Sequence, residues 1–177
     1  MEQNVNVWKA NLTNGLILAL AGIVYSLVMF FLDLSINKAQ GYIFILIEFV
    51  ILFFLVKSYR DNYMHGMITF GQALGAGVII CLYYSVIMAV FTYFLYAFID
   101  PNLVDKTLAI AEEQLLKRGL PQAQIDTAMG VQSKIMTPAF IAPMSILGNM
   151  FQGLIMSLII AAFVKKEGNP LIDTTEK

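Results

Sequence analysis

The stretch KSYRDNYMHGMITFGQALGAG, residues Lys57 to Gly77, decides how the chain is divided. Its first half is polar and charged, and its second half opens a long apolar run. Thr69 and Gln72 have the spacing of a capping box. In that motif the threonine hydroxyl accepts from the N3 amide and the glutamine side chain reaches back to the cap amide. The stretch therefore reads as a loop that ends in a capped helix start. Two apolar runs precede it and two follow it.

Outward from the loop, the runs cover about residues 12–34, 41–57, 70–99 and 139–164. Each approaches or exceeds the roughly 18–20 residues with which a helix crosses hydrocarbon. The first is longer than the core of a signal peptide and has no small-residue cleavage site, so it reads as an uncleaved span. The third is longer than a bilayer core and must tilt or project. Composition agrees: of 177 residues, 59% are hydrophobic and 13% charged, against about 25% charged in soluble domains. The expected fold class is an all-α integral membrane protein, one domain over residues 1–177 with four transmembrane helices. Tyr42 and Tyr59 are expected at the two interfaces of the second span. A net charge of −1 gives no bulk attraction to nucleic acid.

Asp100-Pro101 stops the third run. Residues 101–137 are the one sizeable polar segment. Val104, Leu108, Ala111 and Leu115 share one helical face, and Ile125, Met129, Gln132 and Met136 share another. Gly119 and Leu120-Pro121 turn the chain between them. These features predict an amphipathic helical hairpin between the third and fourth spans. Pro143 predicts either a kink or a later helix start. Residues 167–177 read as a disordered tail.

Four spans put both termini and the Lys57–Thr69 loop on one side. Lys9, Lys57, Arg60, Lys165 and Lys166 lie near span ends there; Lys38, Lys106 and Lys134 lie near them on the other side. The lysine and arginine bias predicts cytoplasmic termini and an extracytoplasmic hairpin.

Glu48 is the candidate for chemistry, because an ionisable group deep in an apolar run is costly and faces the bundle interior or a polar path. It reads either as an ion-coupling carboxylate or as a structural acid paired with Asn149, Gln152, Tyr83 or Tyr84. Asn149 and Gln152 share a face of the fourth run with Ser145, Met156 and Ile160, and Gly148 and Gly153 lie beside it. Lys57, Arg60 and Asp61 form a candidate cytoplasmic loop site, for a lipid phosphate or a partner, or else anchor the loop through local pairs. Gly71 and Gly75 form a GxxxG pair, for packing within the chain or for a homodimer. The lone Cys81 and lone His65 support neither a disulfide nor a metal site. No nucleophile–base set or phosphate loop is evident, and neither an enzyme nor a cofactor is expected.

Tyr59-Arg60-Asp61, Gly66-x-Ile68-Thr69-Phe70-Gly71-Gln72-Ala73, Asp100-Pro101, and Gly153-Leu154-Ile155 through Ala161-Ala162-Phe163 with Lys165-Lys166 together resemble one membrane-protein family. It is a bacterial family, mostly of Bacteroidota, known as domain of unknown function four-one-nine-nine. The resemblance spans nearly the whole chain and is most specific at Gly66–Ala73. It implies a compact four-span protein of a bacterial inner membrane and no chemistry. The leading functional expectation is a non-catalytic accessory or scaffold subunit in an envelope process, with membrane lipids and a protein partner or second copy around it. A small transporter or channel using Glu48 and a lipid-binding protein are the alternatives.

Overall fold

Short polar side chains start three of the long helices. Asn6 Oδ1 accepts from the amides of Trp8 and Lys9, at 3.1 and 3.2 Å, and begins α1 (Val7–Phe31). Asn37 Oδ1 accepts from Ala39 at 2.9 Å and begins α2 (Lys38–Tyr63). Thr69 and Gln72 make both bonds of the predicted capping box, at 3.3 and 3.0 Å, and begin α3 (Phe70–Phe94). These bonds occupy amides that a helix start leaves without intrahelical partners. A π-helical turn, Leu95–Ile99, prolongs α3. Then follow α4 (Asn102–Lys117), α5 (Gln122–Ile135) and α6 (Pro138–Val164). The computed structural model describes residues 6–167, and its regular elements there are helices.

Helix ends follow the same local logic. Gly119 takes φ +72° after α4, where its amide and that of Leu120 return to the carbonyls of Leu116 and Leu115. Asp33 does the work of a glycine after α1, at φ +54°, while Leu34 donates to Met29 at 2.8 Å. α6 runs through Pro143 in one piece from Pro138, so the later of the two expected starts is not taken.

α1, α2, α3 with its π-helical turn, and α6 are each long and apolar enough to cross a membrane. The chain is a multi-pass membrane protein, and its many exposed leucine, isoleucine and phenylalanine side chains form an outer surface suited to lipid. α1 begins at Val7, ahead of the expected 12, and α2 extends to Tyr63, beyond the expected 57. Lys57, Arg60 and Asp61 therefore stand on the last turns of α2 and not in a loop. Lys57 and Arg60 are good helix formers, and the chain meets neither glycine nor proline before Gly66. Tyr59 is not an interfacial anchor: it is 2% exposed and stacks on Tyr63, with ring centroids 5.8 Å apart. The expected tail lies, beyond Glu167, outside the described residues.

α3 is the central helix and packs chiefly on α6 and α1. Three pairs set an antiparallel register with α6: Ile68 with Lys166, Gly77 with Ser157, and Cys81 with Gly153. α2 and α6 run parallel, because Glu48 pairs with Gln152 and Arg60 with Val164 at one constant offset. α4 and α5 occupy the polar interval and pack on each other, with Leu103 and Ile125 nearly unexposed. Lys106 reaches Asp33 at 3.6 Å and Asp100 at 3.5 Å, which ties α4 to the connector after α1. On the open face of α4, Lys117 beside Glu113 holds that carboxyl below its ordinary range.

Candidate functional site

Glu48, Leu52, Val56 and Tyr59 form the buried stripe of α2, at the three- and four-residue spacing of one helix face. Counted along α2, Glu48 lies about 15 Å from Lys38 and about 18 Å from Arg60 at 1.5 Å per residue. That is the middle of a hydrocarbon core about 30 Å thick. Glu48 is 1% exposed. Gln152 Nε2 donates to its Oε2 at 2.7 Å. Its Oε1 is buried without a hydrogen-bond partner.

Three helices converge on this carboxyl. Gln152 comes from α6, and its neighbour Gly153 lies against Cys81 of α3. Ser157 Oγ lies over Gly77 and is buried without a hydrogen-bond partner among the described residues. Of the expected partners of Glu48, Gln152 is the one that bonds to it. Asn149 is half-buried and does not, and Tyr83 donates instead to the Trp8 carbonyl at 3.3 Å. The arrangement is a carboxyl with one oxygen held and one free, which can store a proton or accept from a donor that enters.

A second buried polar pair lies on α1. Asn14 Nδ2 donates to Asn11 Oδ1 at 3.0 Å, and Asn11 Nδ2 donates to the Val7 carbonyl at 3.0 Å. Gly15 beside this pair lies against Tyr83, the neighbour of Tyr84, so the asparagines sit near the depth of the Glu48 cluster. Neither asparagine is among the site residues expected from the sequence. The spacing of Asn11, Asn14, Gly15, Leu18 and Gly22, all buried on one face, was the available signal.

Beside Gln152, α2 and α6 part to leave a groove of about 580 Å³. Ile45, Phe49, Phe151, Ile155 and Ile159 are among its apolar walls, and Gln152 also borders it, though the lining is almost wholly apolar. Among the described residues, no group of three or more histidine, cysteine or acidic side chains gathers in a way that could hold a metal ion.

The candidate loop site has a structural partner. Arg60 Nη1 donates to the Val164 carbonyl at 3.2 Å, at the C-terminus of α6, while its Nε meets Asp61 at 2.7 Å. A guanidinium there satisfies a carbonyl with no intrahelical donor and complements the helix dipole. Ile68 and Lys166 exchange two backbone hydrogen bonds of 2.9 Å close by. Arg60 thus holds the last turn of α2 to the end of α6, beside the tie that Ile68 makes from the α2–α3 loop. Lys57 makes no ion pair among the described residues.

The candidate packing glycines divide. A Cβ at Gly71, Gly75 or Gly148 would meet nothing within 4 Å, so none of the three is a point of close helix approach within this chain. A Cβ at Gly153 would lie 2.6 Å from Cys81 Sγ, and one at Gly77 2.6 Å from Ser157 Oγ. The close approach is therefore Gly77-x-x-x-Cys81 against Gly153-x-x-x-Ser157, six residues further along α3 than the GxxxG pair.

No curated protein and no solved structure matches the chain. One family does, described as a protein of unknown function (DUF4199), over residues 13–166. That match takes in α1 from residue 13 onward, the whole of α2, α3 and α6, the Glu48–Gln152 pair and the Arg60 cap, and the chain belongs to this family.

Proposed function

We propose that the protein is a non-catalytic accessory or scaffold subunit of a bacterial inner membrane, serving an envelope process. The observation that supports this reading is the closed centre of the bundle. Ser157 and Cys81 fill the spaces over Gly77 and Gly153, and Leu18, Leu52, Ile80 and Ile160 have no exposed surface. A bundle filled in this way is a stiff body whose outer faces are left for lipid and for other helices. Lys57, Arg60, Lys165 and Lys166 gather at one end, which favours a cytoplasmic position for that end and for both termini. The α4–α5 pair is then an amphipathic hairpin on the opposite face. Mild cross-linking in native membranes followed by purification tests the proposal. A stable partner is the expected result, and a lone monomer overturns it.

A second reading, a small transporter or channel centred on Glu48, is favoured by one observation: the buried, unpaired Oε1. Glu48→Gln would then abolish flux in proteoliposomes without loss of folding. Unchanged flux would remove this reading.

A further inference from the structure

Lipid tails are as apolar as the walls of the α2–α6 groove, so the groove alone prefers no lipid over another. What can choose is the polar end of the same face. Leu46 and Phe49 line the groove from α2. Lys57 follows Leu46 by eleven residues, close to three whole turns, and so stands on the same side of the helix. The rise between them is about 16 Å, and Leu46 is next but one to Glu48, at mid-membrane. Lys57 therefore reaches the edge of a leaflet whose hydrocarbon is about 15 Å deep, where a phospholipid headgroup begins. Lys57 is exposed and without an ion pair among the described residues. On the other wall, Phe151, Ile155 and Ile159 line the groove, and the exposed Lys165 and Lys166 follow the end of α6. The bond from Arg60 to the Val164 carbonyl brings these two helix ends together. Asp61 is held by Arg60 at 2.7 Å and offsets its charge. That leaves three lysines against one further acid, Glu167, among the described residues of residues 57–61 and 164–167.

We propose that the α2–α6 face binds one anionic phospholipid, with an acyl chain in the groove and its phosphate at Lys57, Lys165 and Lys166. A zwitterionic phospholipid offers the groove the same chain, but its headgroup has no net charge for the lysines to attract. Each basic side chain near a membrane surface contributes about fivefold to affinity for anionic lipid. The groove makes the attraction local. A chain seated in it fixes where the headgroup lies, so the lysines act on one molecule and not on the leaflet at large. A volume of about 580 Å³ falls within the roughly 300–1,000 Å³ of small-molecule sites. Leu46 and Phe151 at the rim are 69% and 68% exposed, so the groove opens sideways and the chain enters it without leaving hydrocarbon.

The test places the full chain in vesicles of equal parts phosphatidylglycerol and phosphatidylcholine with identical acyl chains. Mild detergent then strips loosely held lipid, and native mass spectrometry reads what stays. The chain should retain one lipid and favour phosphatidylglycerol by on the order of twentyfold, the share of two lysines. Lys57→Gln should lower that preference about fivefold while the thermal transition stays in place. Lys9→Gln removes a lysine at the same end of the bundle from α1, which forms no wall of the groove, and should leave the preference unchanged. Ile155→Trp fills the groove, keeps the lysines, and should abolish retention of both lipids. Equal retention of the two lipids overturns the proposal, because the groove then holds tails without regard to the head. An equal effect of Lys57→Gln and Lys9→Gln overturns it, because the charge then acts from the whole end of the bundle. Unchanged retention in Ile155→Trp overturns it as well, and so does a second copy or another protein seated at Phe151 in place of lipid. None of these readouts depends on whether a partner co-purifies through another face.

Discussion

On one side, α6 presses Gly153 and Ser157 into α3, where Cys81 and Gly77 answer at the same four-residue spacing. On the other, the same helix stands away from α2 across a groove of about 580 Å³, bridged by the bond from Gln152 to Glu48. Both contacts are made at one depth by neighbouring residues of one helix. The difference lies in what holds them. Helices in lipid gain little from burying apolar surface, so they associate through close van der Waals packing or through hydrogen bonds. The α3–α6 seam uses the first and the α2–α6 side uses the second. A seam held by shape tolerates no added volume. A side held by a polar pair tolerates volume but not the loss of one partner.

The comparison breaks most visibly at the seam. Gly153→Val should destabilise the protein by about 3 kcal/mol, since even its first carbon overlaps Cys81 and neither helix has room to give. Unfolding in detergent measures this, and a cost near zero would mean that the two helices are not in contact in the membrane. Gln152→Leu should cost about 2 kcal/mol by leaving the Glu48 carboxyl with neither oxygen paired. Glu48→Leu combined with Gln152→Leu should recover much of that loss, because no polar group is then stranded. A double mutant no better than Gln152→Leu alone would show that the pair does not act as a unit. Arg60→Ala should cost about 1 kcal/mol. Its clearer sign is faster amide exchange in the last turn of α6, and unchanged exchange there would deny the Arg60 cap on Val164. The smallest effect is expected at Gly71→Val and Gly75→Val, within about 0.5 kcal/mol, because both face open space within the chain. If either variant loses a cross-linked dimer while keeping its stability, this GxxxG pair serves contact between copies.

Helix identity was legible because it is written locally. The Thr69/Gln72 capping box, the Gly119 stop and the four apolar runs each depend on a few neighbouring residues, and each has its counterpart in the structure. Even Glu48 stood out, since an acid amid Ile45, Leu46, Ile47 and Phe49 needs a partner wherever its helix packs. The partner's identity was another matter: Asn149, Gln152, Tyr83 and Tyr84 were equally eligible by type.

Only the tertiary structure decided among them, because helix rotation and register are properties of a pair of helices and not of either one. A six-residue shift along α3 would have put Gly71 and Gly75 where Gly77 and Cys81 now lie. The register that was chosen pairs Ile68 with Lys166, sends Gln152 to Glu48 and leaves Asn149 aside. It also turned Arg60 from a loop residue into the cap of a helix distant in sequence. Composition and periodicity settle that four helices cross a membrane, since bilayer thickness and backbone hydrogen bonding act on each segment alone. Which faces meet, and hence where an unpaired oxygen and an open groove remain, follows from steric fit between segments.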